Sequence, residues 1–169
     1  MALIYLSLGS NVERYLRISA GLDALAECFG ELTLSSVYES DSVGFQGDNF
    51  LNLVAGIYSE SSLGEVSIIL KKIENDIGRD RSAPRFGPRS LDIDILTMDN
   101  ISGEVDGVEL PRDEVLKNAF VLFPLAEIAP DTNHPVTGQS YSKHWQCYDK
   151  SKQKLWPVPF TWQGQNLTT

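Results

Sequence analysis

Two aspartates one residue apart, Asp92 and Asp94, close the run Arg85-Phe86-Gly87-Pro88-Arg89-Ser90-Leu91-Asp92-Ile93-Asp94-Ile95-Leu96. Leu91, Ile93 and Ile95 share one parity and the aspartates the other. A strand would therefore bury the three aliphatics and send both carboxylates out on its opposite face, with their Cα atoms roughly 6.6 Å apart. Two aligned anions repel unless a cation lies between them, and hard oxygen ligands suit Mg²⁺. Such a pair could hold two ions about 3.5–4 Å apart. The chain has seven arginines, and Arg79, Arg81, Arg85 and Arg89 fall in the one short segment that leads into the aspartates. Guanidinium forks match phosphate geometry. Carboxylates that suit a metal, beside arginines that suit phosphate, point to a nucleoside triphosphate. The plainer alternative is a half-exposed strand with solvated acids and a solvated basic loop. In an acidic chain, the crowding of arginines beside the pair argues against it.

The elements that would position these groups can be read from periodicity. Leu3 to Leu8 is a buried strand closed by Gly9-Ser10-Asn11, and Ser10 with Glu13 has the spacing of a capping box that starts a helix. Leu16, Leu22, Leu25, Ala26 and Phe29 recur at helical spacing as its core face, with Gly30 as its C-cap. Leu32 to Tyr38 reads as a second strand, and Glu39 to Asn49 as a long loop of the kind that often carries function. Phe50 to Tyr58 is a third strand, with Leu51, Leu53, Ala55 and Ile57 on one face and Phe50, Asn52 and Val54 on the other. An asparagine beside an aromatic can bind a flat heterocycle, the amide reading its edge and the ring stacking on it. An edge asparagine bonded to a neighbouring loop would look the same. Ser62 and Glu65 form a second capping box ahead of Val66, Ile69, Leu70, Ile73 and Ile77, with Gly78 ending that helix. The glycine-bounded basic stretch from Gly78 to Gly87 could close over a bound triphosphate. The segment from Thr97 to Glu109 reads as a turn and a short hairpin strand, and the apolar run ending at Asp131 as core. In the tail, His134 and His144 lack the spacing of a metal site. The two prolines of Lys154 to Trp162 limit that stretch to an edge strand or an extended arm.

A chain of 169 residues fits a single domain spanning 1–169, and 42% hydrophobic with 22% charged residues is ordinary for a globular protein. The net charge of −9 argues against a nucleic-acid or membrane partner. Cys28 and Cys147 make neither a disulfide framework nor a metal spacing, and no signal peptide is evident, so a cytoplasmic location is expected. The order strand–helix–strand–strand–helix–strand is that of an α+β, ferredoxin-like βαββαβ sandwich, here with a C-terminal extension.

The Arg85–Leu96 run resembles the signature of the 6-hydroxymethyl-7,8-dihydropterin pyrophosphokinase (2-amino-4-hydroxy-6-hydroxymethyldihydropteridine diphosphokinase) family of folate biosynthesis. The similarity extends from about Leu3 to about Asp131 and includes Gly9-Ser10-Asn11. It implies the same fold, a monomer, and transfer of pyrophosphate from MgATP to the hydroxymethyl oxygen of the dihydropterin, releasing AMP. By that resemblance Asp92 and Asp94 hold two Mg²⁺ ions, while Arg79 and Arg89 neutralise charge on the transferring phosphates. Phe50 and Phe120 sandwich the pterin, whose edges are read by Asn52, Ser40, Asp41 and Val43. Lys71, Glu74, Arg81, Arg85, Ile95 and Arg112 contact ATP. The chain departs from the family pattern in several places. Phe50 replaces a tyrosine, Lys71 a glutamine, Arg112-Asp113 a His-Tyr pair, and Asn118 an arginine. Asp113 brings negative charge to where a triphosphate should lie, which leaves a second reading: a catalytically weakened pterin- or nucleotide-binding paralogue. The intact Arg89 to Asp94 core favours the enzyme. On that reading Arg112 turns into the site, and Asp113 turns outward or pairs with it.

Overall fold

The computed structural model describes residues 1–41, 49–78 and 91–168. Its elements, in chain order, begin with β1 (Ala2–Ser10), α1 (Arg14–Phe29), β2 (Thr33–Leu34), β3 (Tyr38–Ser40), β4 (Phe50–Ser59), α2 (Leu63–Gly78) and β5 (Asp92–Met98). A hairpin of β6 (Gly103–Val105) and β7 (Val108–Leu110) follows, then a 3₁₀ turn (Asp113–Val115), α3 (Ala119–Ile128) and α4 (Tyr141–Cys147). The tail adds β8 (Leu155–Pro157) and a small hairpin of β9 (Thr161–Trp162) and β10 (Gln165–Asn166).

The main sheet runs β5-β1-β4-β3-β8, with β2 also paired to β4, and its pairings are antiparallel. Taking β2 and β3 as one interrupted strand, this is the ferredoxin-like order expected from the sequence. Two apolar layers hold it. On one face Ile4, Leu6 and Leu8 of β1, the Leu51-to-Ile57 parity of β4, and Leu91, Ile93 and Ile95 pack under α1 and α2. On the other face Tyr5, Val54 and Leu96 pack under α3 and α4 through Val121, Leu122, Leu125 and Tyr141. Removing one of these buried leucines, such as Leu22 or Leu25, would cost about 2–5 kcal/mol.

Several local expectations are corrected. Ser10 does not cap α1: it is the buried last residue of β1, paired with Leu51, and its hydroxyl donates to the Val12 carbonyl. Glu13 takes the cap position in a left-handed conformation (φ 46°, ψ 49°), with no side-chain cap bond. Leu16 is exposed, and Ile18 begins the buried stripe that continues through Leu22 and Leu25, because two residues rotate a helix by about 200°. Leu32 to Tyr38 is not one strand. Ser35 breaks it: its N–H donates to the Val54 carbonyl while its hydroxyl accepts the Val54 N–H, so a side chain replaces one backbone partner. The serine half of the second capping box forms as expected, Ser62 Oγ accepting the Glu65 N–H at 3.2 Å; the same hydroxyl, in place of the Ser62 backbone N–H, donates to Glu65 Oε1 at 3.0 Å. Gly30 caps α1 at φ 83°, with its N–H on the Ala26 carbonyl.

Candidate active site

Along β1, β4 and β5 the parity that faces α3 changes character. Tyr5, Val54 and Leu96 are covered by that helix layer, but farther along the same face come Ser7 and Gly9, Asn52 and Phe50, and Asp94 and Asp92. The helix layer ends there, and a cleft of about 420 Å³ opens over these residues. Ser40 and Asp41 close it on the β3 side, and Arg112, Glu114 and Phe120 roof it.

Pairing register sets the spacing. Gly9 lies opposite Asn52 on one side and Asp92 on the other, so amide and carboxylate stand in one row across three strands, roughly 10 Å apart. A Cβ on Gly9 would come within 3.0 Å of Asn52 Oδ1. The glycine therefore leaves the floor open between the two groups. Asn52 is buried, and its Nδ2 donates to Ser40 Oγ at 2.9 Å, which fixes the amide with its oxygen on the Gly9 side. Arg14 ties the end of β3 to the entry of β4. It pairs with Glu39 and donates to the Asn49 carbonyl at 2.9 Å, joining the residues that bracket 40–48.

At the other pole Asp92 and Asp94 are half-buried, turned away from the core that takes Leu91, Ile93 and Ile95. Arg112 Nη2 lies 3.7 Å from Asp94 Oδ1 and 3.2 Å from Glu114 Oε1. Asp113 turns out to solvent and pairs with Lys117, so the charge that threatened the triphosphate site points elsewhere. Glu74 does not line the cleft. It approaches β5 from α2 and accepts the Ile93 N–H, and its carboxyl is pushed up to about 7. Burial is the largest cause, then Asp92, with Asp94 adding to them, while the Ile93 bond and Lys71 act in the opposite sense. The shift therefore reports burial first and the negative field of the two aspartates second. Among the described residues no three His, Cys, Asp or Glu side chains gather as a metal site. The aspartate pair thus suits a cation of the Mg²⁺ kind, which commonly takes one or two carboxylates and completes its shell with phosphate oxygens and water.

Of the residues singled out in the sequence, the cleft brings together Ser40, Asp41, Phe50, Asn52, Asp92, Asp94, Arg112 and Phe120. Glu74 stands beside them, and Lys71 is exposed on α2 without lining the cleft. Ile95 does not line the cleft: its side chain is buried in the α1–α2 core, because it shares the parity of Ile93. Val43, Arg79, Arg81, Arg85 and Arg89 lie outside the described residues. Two further residues of the cleft carry little signal in the sequence. Gly9 had looked like part of a turn, although its Gly-Ser-Asn was in view. Glu114 gave no signal of its own. Asn11, two residues beyond Gly9, is 2% exposed and does not line the cleft; among the described residues neither its amide oxygen nor its nitrogen has a hydrogen-bond partner.

Comparison with known proteins identifies the family. The family model for 7,8-dihydro-6-hydroxymethylpterin-pyrophosphokinase matches residues 5–130. The 2-amino-4-hydroxy-6-hydroxymethyldihydropteridine pyrophosphokinase of Aquifex aeolicus is 36% identical over 138 residues, covering 80% of this chain and 86% of its own. The protein of the same name from Bacillus subtilis is 34% identical over 137 residues, covering 79% and 81%. A solved Plasmodium falciparum HPPK-DHPS chain superposes with a TM-score of 0.67 at 14% identity, a likeness of fold alone. The alignment covers 87% of this chain and 44% of that longer one. With three quarters of its length matched by the family model and more than a third of its aligned residues shared with a curated member, this chain belongs to the 7,8-dihydro-6-hydroxymethylpterin-pyrophosphokinase family.

Proposed function

We propose that this protein transfers pyrophosphate from MgATP to 6-hydroxymethyl-7,8-dihydropterin in folate biosynthesis, giving the pterin diphosphate and AMP. The observation that carries the reading is the two-pole cleft: an aromatic–amide end at Phe50, Asn52 and Phe120, and a carboxylate–guanidinium end at Asp92, Asp94 and Arg112, joined across Gly9. A flat heterocycle with a short hydroxymethyl arm fits the first end and would direct its oxygen toward the second. The Asn52 amide, held by Ser40, selects the polar edge of the ring, and the two phenylalanines exclude water from its faces. The arm's oxygen attacks the β-phosphorus in line, the α,β-bridging bond breaks, AMP leaves, and the hydroxyl proton is released. Positioning and charge neutralisation supply most of such a rate. Asp92 and Asp94 would hold two Mg²⁺ ions, which when bound draw charge from the phosphate oxygens and acidify the attacking hydroxyl. Arg112 reaches the same pole from its roof, and Arg79 and Arg89 serve the β-phosphate and bridging oxygens. A monomer in a reducing cytoplasm completes the reading, in keeping with the free cysteines Cys28 and Cys147.

The test is direct. Incubated with MgATP and the dihydropterin alcohol, the protein should accumulate AMP in step with the pterin diphosphate. Asp92→Ala and Asp94→Ala should each lower that rate about a thousandfold, with unchanged melting, since neither side chain fills the core. Accumulation of ADP, or AMP formation that ignores the pterin, would reject the reading.

A further inference from the structure

The tail beyond the family match reaches back to the cleft. After α4 the chain passes residues 151–154 and enters β8, which pairs with β3 at the sheet edge. On the way Gln153 meets the start of α3. Asn118 occupies the cap position there in extended conformation, yet its side chain makes no cap bond. The first helical N–H, that of Ala119, instead donates to Gln153 Oε1 at 2.7 Å. The same carboxamide donates from Nε2 to Asn118 Oδ1 at 3.0 Å. A planar amide holding two bonds to adjacent residues fixes both its own plane and the entry of the helix. The residue after Ala119 is Phe120, which roofs the aromatic end of the cleft.

The contact also runs in a second direction. Asn118 Nδ2 lies 3.4 Å from Glu114 Oε2, and Glu114 Oε1 accepts from Arg112 Nη2 at 3.2 Å. Arg112 is the residue that leans on Asp94. A line of polar contacts therefore runs from Gln153 through Asn118 and Glu114 to Arg112 at the phosphate end. Asn118 suits its place because an amide both accepts and donates, whereas an arginine offers no acceptor.

Resting on the pyrophosphokinase reading, we propose that Gln153 is a positioning residue with two outputs. Its oxygen sets Phe120 over the pterin. Its nitrogen, through Asn118 and Glu114, sets Arg112 for the triphosphate. The tail is thus part of the device that aligns the two substrates, although it does not line the cleft.

The two atoms of one amide can be tested apart. Gln153→Ala should raise KM for both the dihydropterin and ATP about tenfold, the equivalent of one or two lost hydrogen bonds, while kcat changes less. Gln153→Glu keeps an acceptor for the Ala119 N–H but lacks the donor to Asn118. It should restore pterin affinity and leave the KM for ATP raised. Equilibrium titration with a pterin analogue in the absence of ATP reads the first output without turnover, and melting curves report any general loss of fold. Parent KM values in Gln153→Ala overturn the proposal. So do equal shifts for both substrates in Gln153→Glu, and so does lowered melting with unchanged affinities. Absence of AMP formation in the parent chain would instead reject the reading on which the proposal rests.

Discussion

Arg112 shows how much a single side chain can settle. The family resemblance put Arg112 and Asp113 side by side near a triphosphate, with Arg112 expected to face it and Asp113 to turn outward or pair with Arg112. The 3₁₀ turn that begins at Asp113 separates them. Arg112 reaches Asp94 and Glu114, while Asp113 leaves for solvent and Lys117. The guanidinium therefore offsets two cleft carboxylates rather than its neighbour. Removing it would leave Asp94 and Glu114 facing incoming phosphates uncompensated. Arg112→Ala should raise the KM for ATP about tenfold, the low end for a charge-assisted bond because the group is partly exposed. Asp113→Asn should leave it unchanged. Steady-state kinetics at fixed pterin concentration measure both, and an unaltered ATP KM in Arg112→Ala would remove this residue from the phosphate end. At this scale the aspartate pair was legible because parity is local. Gly9 and Gln153 were not, since each acquires its role only through a residue distant in the chain or across the sheet.

The same four-residue signal gave opposite results in two elements. Ser62 caps α2 by accepting the Glu65 N–H and adds a hydroxyl-to-carboxylate bond to Glu65, while Ser10 and Glu13, with identical spacing, make neither contact. The difference is competition. Nothing else claims Ser62, but Ser10 is held in the β1–β4 ladder opposite Leu51 and buried before the helix can start. Ser62→Ala should therefore cost about 1 kcal/mol, seen as a lower urea midpoint with an unchanged slope. A midpoint within error of the parent would mean that water replaces the cap at no cost. Tertiary pairing also split the second strand at Ser35, where a hydroxyl takes a ladder position that no propensity scale anticipates. The long, strongly periodic β4 and α2 were readable nearly residue by residue, because their patterns and their packing agree. The tail's two prolines were enough to limit it to an edge, and β8 does lie at the edge. Nothing local showed that Trp156 of that strand would donate to Glu39 at 3.0 Å, beside the Arg14 brace.

For the molecule as a whole, function depends on concentrating charge that the fold would rather disperse. The chain carries a net −9, and its cleft still gathers Asp92, Asp94 and Glu114, with Glu74 pressed against the strand behind. Without a bound cation this costs stability, and the cost depends on pH. The Glu74 carboxyl titrates at about 7 in the folded chain against an ordinary 4.5, so the folded state holds its proton more tightly than the unfolded one. Its contribution is fully present below 4.5, is lost as pH rises toward 7, and does not return above that. General repulsion among the excess acids acts in the same direction and would by itself give a similar slope. Replacing the one group separates the two effects. Glu74→Gln keeps an acceptor for the Ile93 N–H and has no proton to lose. In the metal-free protein the variant should melt with the parent at the acid end and above it at pH 8, the gap opening between about 4.5 and 7. Parallel curves for variant and parent across that range would assign the slope to the net charge and acquit Glu74. Adding Mg²⁺ should then narrow the gap by raising the parent, because a cation at Asp92 and Asp94 relieves the field that holds the Glu74 proton in place.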